Sequence, residues 1–248
     1  MSKILIAGES WMTHSTHVKG FDTFSTSEYN EGVRWMRAAF EEAGYEVTFL
    51  PNHFAPTQFP NTAQELSQYS AIVLSDIGTN TLLLHPDTFA RSVRTPNRLE
   101  AIREYVLNGG GLIFVGGYMT FNGIDGKGRW GGTAVEDVLP VTMIPGDDRE
   151  ERPEGIFPTI LTPEHPVLAG ITGEWPFFLG YNKCLVKEGA ALLATFNKDP
   201  FIALGEFGQG RSIAFTTDCS PHWGPYEFVN WVHYNRLWSQ MARWAGRV

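Results

Sequence analysis

The sequence predicts an α/β fold: a flavodoxin-like, doubly wound, mostly parallel sheet with antiparallel additions in the C-terminal half. Three observations predict it. Short, largely apolar runs at Lys3–Ala7 (KILIA), Glu46–Leu50 (EVTFL), Ala71–Ser75 (AIVLS) and Gly111–Val115 (GLIFV) have the length and texture of buried parallel strands. Helical stretches separate them, which is the alternation of a parallel sheet. Beyond residue 133 the helices give way to closely spaced β-rich runs.

The elements follow in order. After the first strand, Glu9 to Ser27 is polar and aromatic with no helical period, and is expected to form a long loop of the kind that carries function. Glu28–Ala43 places Val33, Met36, Ala39 and Phe40 on one face and is closed by Gly44, an amphipathic helix. The second strand follows, then an irregular segment from Pro51 to Pro60 and a short helix over 62–69 with Thr62 as its N-cap. The third strand ends at Asp76-Ile77-Gly78. The segment 82–95 is ambiguous, whereas 96–107 is a helix with Pro at its start and Asn-Gly at its end. It leads into the fourth strand and the glycine-rich loop GGYMTFNGIDGKGRWGGT.

In the second half, 133–139 reads as a brief helix and 141–144 as a short strand. Gly146–Gly155 (GDDREERPEG) reads as a solvated, exposed charge run. Runs at 156–161, 185–186, 191–196 and 201–207 read as short strands. The glycines of 207–211 mark a hairpin turn before a last core strand, 211–216. The chain closes with one helix from Tyr226 to Trp244. Its Trp231, Tyr234, Trp238 and Trp244 exceed what one buried face requires, so some are expected at a subunit interface. The 248 residues read as a single domain, 1–248.

The bulk properties exclude several classes. A net charge of −8 leaves no basic stripe for phosphates, so no nucleic-acid partner is expected. No apolar run is long enough to span a membrane, and the N-terminus lacks the core of a signal peptide. Two cysteines make no disulfide framework, so a reduced, cytoplasmic protein is expected. Neither a Walker A sequence nor a dinucleotide fingerprint is present, and no cofactor is expected. His14 and His17 have HxxH spacing but no evident third ligand, so no metal is expected.

Ligands of open parallel sheets bind beyond the carboxyl ends of the strands. Four such ends gather polar, ionisable and glycine residues: Gly8-Glu9-Ser10, Asp76-Ile77-Gly78, Gly116 to Thr120 with Gly117 and Tyr118, and Thr217 to His222 with Asp218. The turn after the fourth strand has the outline of a nucleophile elbow, but its apex is Tyr118, or Gly117 if the register slips by one. Tyrosine, with a pKa near ~10, is a poor nucleophile at neutral pH. Thr120 could attack only with a base beside it. Cys219 and His222, next to Asp218, have the composition of an activated thiol and its base. The bland alternative is that Cys219 packs as a small apolar residue.

With GGGLIFVGGYMTF, EHPVLAGI, FGQGRSIAFTTDCSPHWG and the opening KILIAGESW in this order, the chain resembles the class I glutamine amidotransferase-like superfamily. The resemblance is to its "putative glutamine amidotransferase" branch, and more loosely to trehalose-utilisation-type proteins. It implies an elbow cysteine, a late histidine followed by a glutamate, and an oxyanion-hole glycine. Gly78 matches that glycine and His222 matches the histidine by location. Tyr118 replaces the cysteine, and Gly224 stands where the glutamate belongs. The expectation is therefore a diverged, homo-oligomeric member that binds a small polar metabolite such as a carbohydrate or amino-acid derivative. Two alternatives stay open: a hydrolase or amidotransferase using Cys219 or Thr120 with His222 as base, and a structural oligomeric protein.

Overall fold

The computed structural model describes residues 2–248. In chain order the elements are β1 (Lys3–Gly8), β2 (Ser10–Lys19), β3 (Asp22–Glu31), α1 (Arg34–Glu42), β4 (Glu46–Leu50), α2 (Ala55–Gln58), α3 (Ala63–Leu66), β5 (Ala71–Ser75), α4 (Thr79–Leu83), α5 (Pro86–Arg91), α6 (Arg98–Leu107) and β6 (Gly111–Val115). There follow α7 (Ala134–Asp137), β7 (Val141–Met143), β8 (Arg149–Ile156), β9 (Thr159–Ile160), β10 (Phe178–Asn182), β11 (Cys184–Val186), β12 (Ala191–Phe196), β13 (Asp199–Phe207), β14 (Gly210–Phe215), α8 (Tyr226–Val229) and α9 (Tyr234–Gly246).

Eight strands form the main sheet in the order β4-β1-β5-β6-β14-β13-β12-β9. The first five run parallel, with Ile4 opposite Ala71 and Ala71 opposite Gly111. The last three are antiparallel, added through the Gly208-Gln209 turn between β13 and β14. This is the predicted doubly wound sheet with antiparallel additions. Its two faces carry separate cores. On one, α1 and α9 bring Met36, Phe40, Leu237, Trp238 and Met241 onto Ile4, Val73 and Ile213. On the other, α6 brings Leu99, Ile102 and Val106 onto Leu5, Ile72 and Phe114. Burial on both sides explains why β1, β5 and β6 are legible as near-continuous apolar runs.

Several expectations are corrected. Glu9–Ser27 is not an irregular loop: β2 and β3 pair in unbroken register, Ser10 with Glu31 through Lys19 with Asp22, as a long two-stranded arm. Every residue from Trp11 to Tyr29 is exposed, so neither face carries the apolar alternation that betrays a half-buried strand. The arm also takes Glu28 to Glu31 from the expected first helix, which begins at Arg34. The charge run is no solvated loop either. Asp148 is buried, and Arg149–Ile156 pairs with β10.

The closing helix is two helices, α8 and α9, and Val232 is exposed in the break between them. Tyr234 and Trp238 are not free for a subunit interface. Both are buried in the chain's own core, Trp238 against Phe40 and Phe215. No helix among the described residues is long and apolar enough to cross a membrane.

Candidate functional site

The parallel strands end on one side of the sheet, and two of their exits are strained. Glu9 (φ 49°), just after β1, and Asp76 (φ 45°), just after β5, both adopt the left-handed conformation. Only a surrounding structure that over-determines a residue holds it there, and such residues concentrate at ligand sites. Asn52, after β4, ties the two exits together. Its amide donates to the carbonyls of Ser10 (2.7 Å) and Asp76 (3.0 Å), and its backbone N–H donates to Ser10 Oγ (2.8 Å).

Glu9 is buried, and its carboxyl accepts from Ser75 Oγ (2.5 Å) and Ser220 Oγ (2.9 Å). Burial, reinforced by the neighbouring charges of Asp218 and Asp76, pushes its pKa up to about 8 despite those two donors. Gly32 makes room for it, since a Cβ at that position would overlap the Glu9 carboxylate. Asp76 accepts from the Met119 N–H (2.8 Å) and is raised to about 6, by burial first and by Asp218 second.

Asp218, after β14, accepts from the Ser220 N–H (3.2 Å) and pairs with His222 Nδ1 at 3.3 Å. Burial pulls the His222 pKa down, but that hydrogen bond and the charges of Asp218, Asp76 and Glu151 outweigh it, and the net shift is upward. The His222 ring meets Tyr118 edge-on at 4.3 Å and stacks beside Trp223. Tyr118 is held in turn: its hydroxyl donates to Glu151 Oε1 (3.0 Å), and the Arg149 guanidinium lies 4.7 Å from its ring centre. Trp223 Nε1 donates to the other Glu151 oxygen (3.0 Å). The supposed charge run thus supplies the back support of the site.

The turn after β6 is not a nucleophile elbow. The strained position is Gly117 (φ 154°), not Tyr118, and the chain continues through bends to a 3₁₀ turn at Ile124–Gly126 instead of entering a helix. Buried Asn182 pins this turn, accepting from the Gly117 N–H (2.9 Å) and donating to the Gly117 carbonyl (3.2 Å) and to Asp148 (2.8 Å). Asp148 also accepts from the N–H groups of Asn122 (2.7 Å) and Gly123 (2.9 Å).

These groups surround a cleft of about 430 Å³ lined by Glu9, Trp11, Asp76, Tyr118, Asp218, Ser220, Pro221 and His222. Five residues singled out from the sequence therefore share it: Glu9, Asp76, Tyr118, Asp218 and His222. Five others lie outside its lining. Ser10 is buried against Asn52, Gly78 lies beneath the Met119 side chain, and Gly117 abuts Asp76 from behind. Thr120 is wholly buried, its hydroxyl without a partner and without a base beside it.

Cys219 is 1% exposed, its sulfur 3.6 Å from Ser75 Oγ, and burial with the charges of Glu9 and Asp218 holds the thiol well above its usual range. His222 faces Asp218 rather than serving that thiol. Trp11, Asn52 and Asn182 are not marked by the sequence, and Ser220 lies within a marked strand end without standing out in it. Trp11 and Asn52 sit in segments read as irregular, and nothing local marks an asparagine whose partners lie far along the chain.

Glu9, Asp218 and Cys219 present side-chain atoms within 4.8 Å of one another, three donors in kind for a metal. The Glu9 oxygens already accept two hydroxyls and the thiol is held protonated, which is the arrangement of a hydrogen-bonded core. His14 and His17 cannot converge on an ion. They lie an odd number of residues apart on β2 and point to opposite faces, bonding Ser27 and Thr26 respectively.

A sequence model of the family described as "putative glutamine amidotransferase" matches residues 3–246. No curated protein matches the chain. Among solved structures, the cytoplasmic protein STM3548 from Salmonella typhimurium is 44% identical, with 98% of each chain covered and a TM-score of 0.95. The cytoplasmic protein STM1381 from Salmonella typhimurium LT2 is 42% identical, covering 98% of this chain and 99% of its own, with a TM-score of 0.94. A ThuA-like protein from Bacteroides uniformis shares the fold at 13% identity, with 98% and 91% covered and a TM-score of 0.58.

Proposed function

The chain belongs to the putative glutamine amidotransferase family, and from that premise we propose that it is a diverged member that binds a small polar metabolite rich in hydrogen-bond donors. One observation carries the reading. Glu9, Asp76 and Asp218 leave three different strands and meet, with His222, in a single cleft walled by Trp11 and Tyr118. Carboxylate oxygens accept hydrogen bonds, so Asp76 and Asp218 suit hydroxyl or ammonium donors and disfavour carboxylate or phosphate ligands, while Glu9, already held by two serine hydroxyls, closes the floor beneath them. The aromatic walls suit the apolar face of a sugar or the carbon skeleton of an amino-acid derivative. Glutamine hydrolysis has no support at this site, because no thiol stands on the turn after β6.

The alternative of a hydrolase using Cys219 or Thr120 has less support, because both side chains are buried away from the cleft that His222 lines. The Salmonella relatives are described as cytoplasmic. We place this chain in the same compartment, which suits its two free cysteines.

Thermal-shift screening followed by calorimetry tests the proposal, with neutral sugars, polyols, amines and carboxylates as the panel. Donor-rich ligands should raise the melting temperature by mass action, and Asp76→Asn should weaken the best of them about 10–100-fold, the range expected for losing one charge-assisted hydrogen bond. Binding confined to anions, or steady ammonia release from glutamine, would overturn it.

A further inference from the structure

The arm formed by β2 and β3 has no role in the cleft lining beyond Trp11 at its root, yet it is a large structural commitment. Two ten-residue strands pair without a bulge and leave every side chain from Trp11 to Tyr29 in solvent. A ribbon of two strands is marginal in water unless a third strand or another surface covers it. The ring contact that ties the arm to the body is at its root, where Tyr29 meets His53. The rest has nothing of its own chain to lie on.

The arm is also composed for contact. Its apolar groups stand on both faces and at the tip. Trp11 and Phe24 lie on one face, the latter stacked on His17 at 4.5 Å; Met12, Val18 and Tyr29 lie on the other; and Phe21 is fully exposed at the turn. A ribbon meant to face water on one side would keep that side polar. Lys19, Asp22, Glu28 and Glu31 place charge at the ends of the arm, but the stretches between them, Ser10–Val18 and Thr23–Ser27, contain no lysine, no proline and no formally charged residue to blunt the free edges. Their outward N–H and C=O groups are open to further pairing. The two Salmonella structures match 98% of this chain, which leaves about five residues uncovered, too few to omit the arm.

We propose that the arm is an oligomerisation arm that lies reciprocally against a second copy of this chain. Charge decides where such an occupant can sit. Two copies each carrying −8 repel, and the uncharged stretch of the arm is where they meet at least cost. Area favours that occupant. At ~3.3 Å per residue and ~4.8 Å between strands, each face of the ribbon offers roughly 300 Å². A single arm on a foreign protein then buries roughly 1,200 Å² in total at best, the lower limit of stable interfaces, whereas two exchanged arms double it. A twofold supplies that exchange without further surface, because each copy offers both the arm and its seat. Since Trp11 stands both on the arm and in the cleft lining, assembly also fixes one wall of the cleft.

The test is the mass of the full chain in solution by light scattering, with a variant carrying Val18→Lys, Phe21→Lys and Phe24→Lys. The wild type is expected at twice the 27.7 kDa chain mass or a higher multiple, and the variant at the mass of one chain with an unchanged circular dichroism spectrum. Hydrogen exchange on the wild type decides the matter even if the variant fails to fold. The outward-facing amides of β2 and β3 should be protected at high protein concentration and lose that protection on dilution. A wild type that stays a single chain, a variant that keeps the wild-type mass, or arm amides that exchange freely at every concentration would each overturn the proposal.

Discussion

Glu9 and Asp76 hold the same unusual backbone conformation at equivalent places, one residue beyond adjacent parallel strands. Each thereby turns its carboxyl into the space above the sheet, where Asp218 and His222 complete the floor. Cys219, one residue from Asp218, illustrates how little separates a functional from a packing role. Its thiol falls below the floor, against Ser75, and its carbonyl accepts from the buried Tyr234 hydroxyl (2.7 Å). Thiolate formation there is opposed by burial and by two carboxyls. In the native protein Cys219 and the equally buried Cys184 should therefore both resist a thiol reagent at neutral pH, and both should react once denaturant is added. Rapid native labelling of Cys219 alone would restore the case for a nucleophile.

At the scale of elements, the site depends on a brace the sequence does not advertise. β10 delivers Asn182 beneath the turn after β6, and the segment entering β8 delivers Asp148; together they satisfy the backbone of Gly117, Asn122 and Gly123. Asn182→Ala would leave the Gly117 N–H and part of the Asp148 carboxylate without partners in a dry interior. The expected loss is about 2–4 kcal/mol of stability by chemical denaturation, with weaker ligand binding as Tyr118 loosens. A change under ~0.5 kcal/mol would mean that water replaces the amide.

The contrast among elements is instructive. β1, β5 and β6 are legible because both their faces are buried. β8 is hidden because its side chains are charged, although those charges face partners: Glu151 holds Tyr118 and Trp223, and Arg152 pairs with Glu150. The arm is hidden for the opposite reason, since within one chain nothing is buried on it.

At the scale of the whole molecule, the buried acids set the response to pH. The folded-state pKa of Glu9 lies above its ordinary value of 4.5, at about 8. The folded protein therefore retains a proton that the unfolded chain releases, and stability falls as pH rises through that window. Asp76, raised from 3.8 to about 6, acts in the same sense over a lower range. The wild type should lose on the order of a few kcal/mol between pH 5 and pH 9 in urea denaturation. Glu9→Gln, neutral throughout, should lose measurably less. Identical slopes for the two proteins would show that Glu9 ionises freely.

The sequence by itself determined the doubly wound sheet, the family resemblance and the four strand ends at which a ligand would sit. Those follow from local composition, because burial on two faces and sharp turns each demand particular residues wherever they occur. It also marked five of the eight residues that line the cleft. Only the tertiary structure decided which candidates share a space. Cys219 and Thr120 fall inside the core while Trp11 and Ser220 enter the cleft. Asn52, Asn182, Asp148 and Glu151 hold the site through contacts with residues 24 to 72 positions away. Such convergence depends on how strands lie side by side, and no short window of sequence contains it.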